Sequence, residues 1–159
     1  MQYNMTHTPK MIGLFMARFV PYNSTDDADL LTPSKLKSLL YFAQGLALVD
    51  LGRPLFDEDF RRGQNEYCPL LLPSIDSLYA NVNGPIPDED ADGSCLDNDE
   101  IHLLAWAYDT FGCYTPVALK QMALESYPVR SVHPGWIIPK RTMKSYFRNE
   151  YFNGKGERK

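Results

Sequence analysis

Six side chains in this sequence of 159 residues are nucleophiles or soft metal ligands: Cys68, Cys95, Cys113, His7, His102 and His133. A structural zinc site draws its four ligands from closely spaced pairs. No two of the six stand at C-x2-C or H-x3-H spacing, so no zinc site is expected. A cysteine hydrolase needs a thiolate at a helix N-terminus with an imidazole placed beside it. Nothing here selects one cysteine and one histidine for that pairing, and the three thiols read as small hydrophobes. Neither G-x-x-x-x-G-K-[ST] nor G-x-G-x-x-G occurs, so no phosphate cradle is expected. Asp88, Glu89, Asp90 and Asp92 have the composition of a calcium loop but lack the closing glutamate and helix–loop–helix frame of an EF-hand. They read as solvated loop charge. The residue chemistry therefore points to no catalytic, metal or cofactor site, and to a protein that is not an enzyme.

The elements that position these groups are organised around Leu31–Gly52. Thr32 is a good N-cap, and Pro33 suits the first helical position, where its missing N–H costs nothing. Leu36, Leu39, Leu40, Ala43, Leu46 and Ala47 fall on one face, and Tyr41, Phe42, Leu48 and Val49 widen it. A helix apolar on most sides is buried on most sides, so this one is expected to run through the middle of the domain and to stop at Gly52 as a C′ residue.

Thr8-Pro9 and Thr115-Pro116 repeat the same opening signal. They predict a helix from about Pro9 to Val20, with an apolar stripe of Ile12, Phe15, Met16 and Phe19, and a short helix ending before Pro128. Asn23 to Asp27 reads as a polar loop. Asp97 or Asn98 caps a long helix that carries Ile101, Leu104, Ala105, Tyr108 and Phe111 inward and closes at Gly112. Between Arg53 and Glu66 the pattern predicts a small β-hairpin: an extended segment, a charged turn at Asp57–Asp59, and a second extended segment. Tyr67–Pro73, punctuated by Pro69, reads as a buried connection, and Pro73 or Ser74 as the start of a short helix. Asn81–Ser94 reads as loop and Ser131–Gly135 as a turn. Pro139 opens a final helix with Met143, Tyr146, Phe147 and Tyr151 inward and Lys140, Arg141, Lys144 and Arg148 toward solvent. The expected fold is thus mainly α (α+β): a compact multi-helix domain around a central buried helix, with one small β-hairpin. Its expected limits are residues 9–152, with tails at 1–8 and 153–159.

The apolar fraction of 44% is globular, and the length suits one domain. Net charge is −4, which does not attract nucleic acid, but the charge is uneven. Asp57–Glu100 holds twelve acids against Arg61 and Arg62, a balance of −10; Lys140–Lys159 holds seven bases against Glu150 and Glu157, a balance of +5. No apolar run approaches the roughly 18 residues of a membrane span, and no secretion signal opens the sequence. With an odd number of cysteines, this predicts reduced thiols in the cytoplasm. The helices at Ile101–Phe111 and Thr115–Glu125, joined by a glycine-containing turn, weakly resemble helix-turn-helix, which gives a DNA-binding regulator as the alternative function. The second helix offers only Lys120 and Gln121 as readers, so nucleic acid is an unfavoured partner.

Leu31-Thr32, Lys35-Leu36 and Leu39-Leu40-Tyr41-Phe42-Ala43-Gln44 resemble the opening helix of the Panacea domain, also called the SocA-like or phage-associated GepA-like domain. Pro54-Leu55-Phe56, Phe60 and Tyr67-Cys68-Pro69-Leu70 are similar to the family's next signature. Gln64 and Asn65 stand where that signature has Ala-Trp, and Cys68 where it has Gly. Phe111-Gly112, Thr115 to Leu119, and Ile138-Pro139 with Tyr146-Phe147 also agree, so the resemblance covers residues 9–152. It implies an antitoxin that neutralises a cognate toxin, encoded by an adjacent gene often in phages or mobile elements, by direct protein–protein binding. For members similar to SocA it implies a proteolytic adaptor, with a AAA+ protease as further partner. It implies no catalytic residues. A partner surface combines apolar anchors with a polar rim; the candidates are Phe56, Arg61, Arg62 and Tyr67 around the hairpin, with Trp136. For the arginine pair the local alternative is charge pairing with Asp57, Glu58, Asp59 or Glu66.

Overall fold

The computed structural model describes residues 7–20, 31–87 and 95–159. The expected loop at 23–27 and the acid run at 88–92 lie outside them. The described elements are α1 (Pro9–Ala17), α2 (Pro33–Asp50), β1 (Arg61–Asn65), β2 (Cys68–Leu71), α3 (Pro73–Leu78), α4 (Asn98–Phe111), α5 (Pro116–Glu125), α6 (Tyr127–Arg130) and α7 (Lys140–Tyr151). The protein is mainly helical, with one antiparallel two-stranded hairpin.

Helix α2 is the axis. Thirteen of its eighteen residues are buried, and α1, α3, α4, α5, α7 and β2 all pack on it. Its N-cap works as expected: the Thr32 hydroxyl accepts from the Lys35 N–H at 3.2 Å, and Gly52, at φ +70°, follows the last turn. Thr8 and Thr115 cap α1 and α5 through the N–H groups of Met11 and Ala118. Helix α1 ends at Ala17, three residues short of expectation, because the chain tightens: Phe19 and Val20 donate to carbonyls three residues back. Asp97 and Glu100 form a reciprocal capping box on α4. Glu100, only 2% exposed, is paired with the guanidinium of Arg53 and hydrogen-bonded to the Nε2 of His7, each at 2.9 Å. His7 is thereby docked on α4 rather than left in a tail.

The core is aromatic. Phe42 stacks on Phe111 with ring centres 4.3 Å apart, and Tyr41 and Phe147 meet edge to face. Two polar groups inside it are fully bonded. Gln44 accepts from the Leu55 N–H and donates to the Phe56 carbonyl, both at 2.8 Å, and so straps residues 55–56 to α2. The Tyr41 hydroxyl meets the Ser126 Oγ at 2.7 Å and ties α2 to the α5–α6 junction.

Burial holds the phenol of Tyr41 protonated far above the ordinary tyrosine range; burial does the same for Tyr151 and, less strongly, Tyr146, which are part-exposed and count for less. The unfolded chain ionises near pH 10. A folded-state pKa above that value leaves stability intact below about pH 10 and removes it as pH rises further. Tyr41 alone is expected to cost about 1.4 kcal/mol per pH unit above that point. Denaturant melts at about pH 9 and about pH 11 on the native chain and on Tyr41→Phe check this. The variant loses about 1 kcal/mol at neutral pH with its hydrogen bond, and its alkaline decline is shallower.

The hairpin exists but is displaced along the chain. The turn is at Glu66–Tyr67, not Asp57–Asp59, and Cys68–Leu71, expected as a connection, is its second strand. The strap from Gln44 explains this: Leu55 and Phe56 spend their main-chain groups on α2 and cannot pair as a strand. Arg61 pairs with Leu71 and Arg62 with Leu70, and the register shifts before Asn65 pairs with Cys68. Residues 135–138 then run along the other side of β1. Arg62 N–H donates to the Trp136 carbonyl at 2.9 Å, and Ile138 N–H to the Phe60 carbonyl at 2.8 Å.

Two other elements depart from expectation. Helix α5 ends at Glu125, before Pro128 as expected, but Pro128 then stands in the first turn of an unexpected four-residue helix, α6, where its missing N–H is harmless. Residues 153–159, expected as a flexible tail, fold back. Asn153 Oδ1 accepts from the N–H groups of Lys155 and Glu157. The guanidinium of Arg158 reaches the Asp50 carboxylate at 2.7 Å and lies 4.0 Å over the Trp106 ring.

Candidate partner-binding surface

The hairpin, α5 and segment 135–138 build the surface on which the candidate residues fall. Tyr67 is at the hairpin tip and is 76% exposed. Its carbonyl accepts from Lys120 Nζ of α5 at 3.2 Å, which fixes the tip against that helix. One turn earlier on the same face of α5, Val117 is 71% exposed. Behind the tip is a pocket of about 290 Å³, lined by Ser34, Lys37, Cys68, Asp76, Tyr79 and Lys120 among others. Among its lining, the Lys37 Nζ pairs with Asp76 at 2.8 Å, donates to the Leu70 carbonyl at 3.1 Å, and lies 3.5 Å from Cys68 Sγ. Its charge is spent inside the fold.

Trp136, 61% exposed, projects from the far side of the hairpin with His133 packed edge-on against its ring at 4.7 Å. Arg61 is exposed and donates to the Gly135 carbonyl at 3.2 Å. Arg62 is half-buried; its guanidinium donates to the carbonyls of Val132 at 2.6 Å and Arg130 at 3.5 Å. Neither arginine pairs with Asp57, Glu58, Asp59 or Glu66 among the described ion pairs. Arg62 caps the carbonyl end of α6, where a cation opposes the helix dipole, and so is a structural tie as much as a contact.

Phe56 does not belong to this surface. It is fully buried, held in by the Gln44 strap and packed on Phe60. Of the five candidates the structure thus places Arg61, Arg62 and Trp136 together, Tyr67 at the opposite end of the hairpin, and Phe56 in the core. Val117 and the partly exposed Ile137 were missed. Both sit in apolar runs that read as core, and only the packing of α5 and of 135–138 shows that they face out.

The thiols and imidazoles are scattered. Cys95 and Cys113 are exposed, Cys68 is half-buried, His7 is held by Glu100, and His133 stacks on Trp136. Among the described residues no group of three or more His, Cys, Asp or Glu side chains is placed to hold a metal ion. Also among them, no helix is long and apolar enough to cross a membrane. Compared with protein-family models, with curated proteins and with solved structures, the chain matches none.

Proposed function

We propose that this chain is a cytoplasmic antitoxin that neutralises a cognate toxin, the product of an adjacent gene, by direct contact. The observation that carries the reading is the pair of large apolar side chains, Tyr67 and Val117, held outward around a hairpin tip that Lys120 fixes in place. Preformed apolar anchors with a polar rim are what a protein partner needs. The resemblance of α2 to the Panacea domain supplies the biological class. The DNA-reading alternative places its recognition residues on α5. There Lys120 is bonded to the Tyr67 carbonyl and Gln121 to Glu125, so neither is held ready for a base edge.

Growth rescue tests the proposal. The chain is co-expressed with the adjacent gene, and the same is done for Tyr67→Ala combined with Val117→Ser. The native chain is expected to restore growth. The double variant should keep its circular-dichroism spectrum and lose about 2–4 kcal/mol of binding, roughly 30-fold or more, because both side chains are solvent-facing in the free protein. Full rescue by the double variant would remove this face from the account.

A further inference from the structure

The segment before α7 leaves one residue of main chain open at the edge of the sheet. Arg61 and Ile137 are directly opposed across β1 and segment 135–138. The bonds flanking them, Arg62 N–H to Trp136 O and Ile138 N–H to Phe60 O, make this a non-hydrogen-bonded pair. In such a pair each residue turns its N–H and C=O away from the other. Those of Ile137 therefore face the outer side, and neither has a backbone partner among the described residues. Ile137 is 41% exposed. An open edge of this kind is a template for an added strand.

The charged side chains flanking Ile137 itself are arginines; Asp59, beyond Phe60, is paired with Lys140 at 2.6 Å. Arg61 flanks Ile137 on one face of the sheet; Arg62 and Trp136 flank it on the other. Arg130, whose carbonyl Arg62 holds, extends the same surface over Tyr127. None of these three arginines forms an ion pair among the described residues. From Arg130 to Arg148 the sequence carries five lysines and arginines and no acid.

We propose that this edge takes an extended, acidic segment of the partner protein, added as a strand beside 135–138, with two main-chain bonds to Ile137 and its carboxylates among Arg61, Arg62 and Arg130. This deepens the protein-binding reading above and rests on it. A peptide is favoured over a nucleic acid because the open groups are an N–H and a C=O on one residue, the pattern that another main chain matches.

The test is a titration of the full-length, isotope-labelled chain, followed by amide shifts and hydrogen exchange. The probes are a short blocked valine-rich peptide with two adjacent central glutamates, which place one carboxylate on each face of an added strand, its counterpart with lysines in their place, and a short oligothymidylate. The Ile137 amide is expected to exchange freely in the unbound chain, then to shift and become protected with the glutamate peptide alone. The amides of Arg62 and Ile138, bonded inward, should be protected throughout. Ile137→Pro deletes the outward donor without touching the inward bonds, and should weaken the glutamate peptide about tenfold. Arg61→Glu is a second variant that leaves the main chain unchanged, and should weaken it as well. Protection of the Ile137 amide in the free chain, equal response to the lysine peptide, or a response to oligothymidylate in place of the glutamate peptide would each overturn the proposal. The two readings separate cleanly. If the adjacent gene's product binds the native chain and Ile137→Pro alike, the edge is wrong and the antitoxin reading stands. If the glutamate peptide binds at Ile137 while that product does not bind at all, the reverse holds.

Discussion

Gly45→Val is expected to cost about 3–5 kcal/mol, although valine is the better helix former by a few tenths of a kcal/mol. A side chain at position 45 would overlap the ring of Phe147 on α7. Phe147 is fully buried and touches Tyr41, Phe42, Tyr146 and Tyr151. It has no free space to enter, because close-packed cores absorb added volume only by moving whole side chains or helices. Either α7 withdraws from α2, or Phe147 leaves its site and forfeits the burial that a Phe→Ala change would remove. Gly45→Ala should be milder, about 1–3 kcal/mol. Phe147→Leu made together with Gly45→Ala should cost clearly less than the sum of the two single changes, since the second substitution vacates the space the first requires. Urea unfolding of the four chains in that cycle measures the coupling. Additive losses would show that the contact does not set the spacing of α2 and α7.

The second large effect is local. Gly63→Val should open the hairpin while the helical circular-dichroism signal stays near that of the native chain. Here the obstacle is main chain: a Cβ at position 63 would fall on the carbonyl oxygen of Cys68. A carbonyl within a paired strand cannot rotate aside as a flexible side chain can. The shift of register between Arg62 and Asn65 is the place where the two strands come this close. Losing the pairing frees the tip that carries Tyr67 and disturbs β1, on which segment 135–138 rests. The variant should therefore lose partner binding by about 100-fold or more, with a stability loss of about 2–4 kcal/mol. Hydrogen exchange reads it directly: the Arg62 and Ile138 amides should lose protection before those in the middle of α2. Unchanged protection at both would mean that the strands tolerate the side chain and that Gly63 has no special role.

These two glycines show where the sequence was legible and where it was not. Local chemistry carries the helix starts. Thr8, Thr32, Thr115 and Asp97 cap as their residue types require, because an N-cap depends on a hydroxyl or carboxylate three residues from the N–H it accepts. The central position of α2 was legible too, since no amphipathic surface helix is apolar on so many sides. The hairpin was legible in kind and not in place. Gly63 is required at its place because another strand's carbonyl occupies the space of its side chain, a neighbour that no local pattern specifies. Pro69, which cannot sit inside a helix, marks its stretch as a buried connection, and it lies within the second strand of the hairpin. Phe56 reads as a surface anchor beside charged residues, and Gln44, a polar residue in the middle of the central helix, pulls it inside through two main-chain bonds. Each of these outcomes is set by a partner distant in sequence. The outward face of Ile137 was hidden for the same reason: in Trp136-Ile137-Ile138 only the pairing with β1 decides which residue turns its main chain to solvent.

The most direct measurement is size-exclusion chromatography of the purified chain mixed with the purified product of the adjacent gene, run beside the growth assay. The antitoxin account predicts that the neighbour's product arrests growth alone, that the chain restores it, and that the two proteins co-elute as a complex that the Tyr67→Ala, Val117→Ser variant does not form. A neighbour's product that is folded and toxic, yet elutes separately from the native chain and still arrests growth in its presence, would contradict the account.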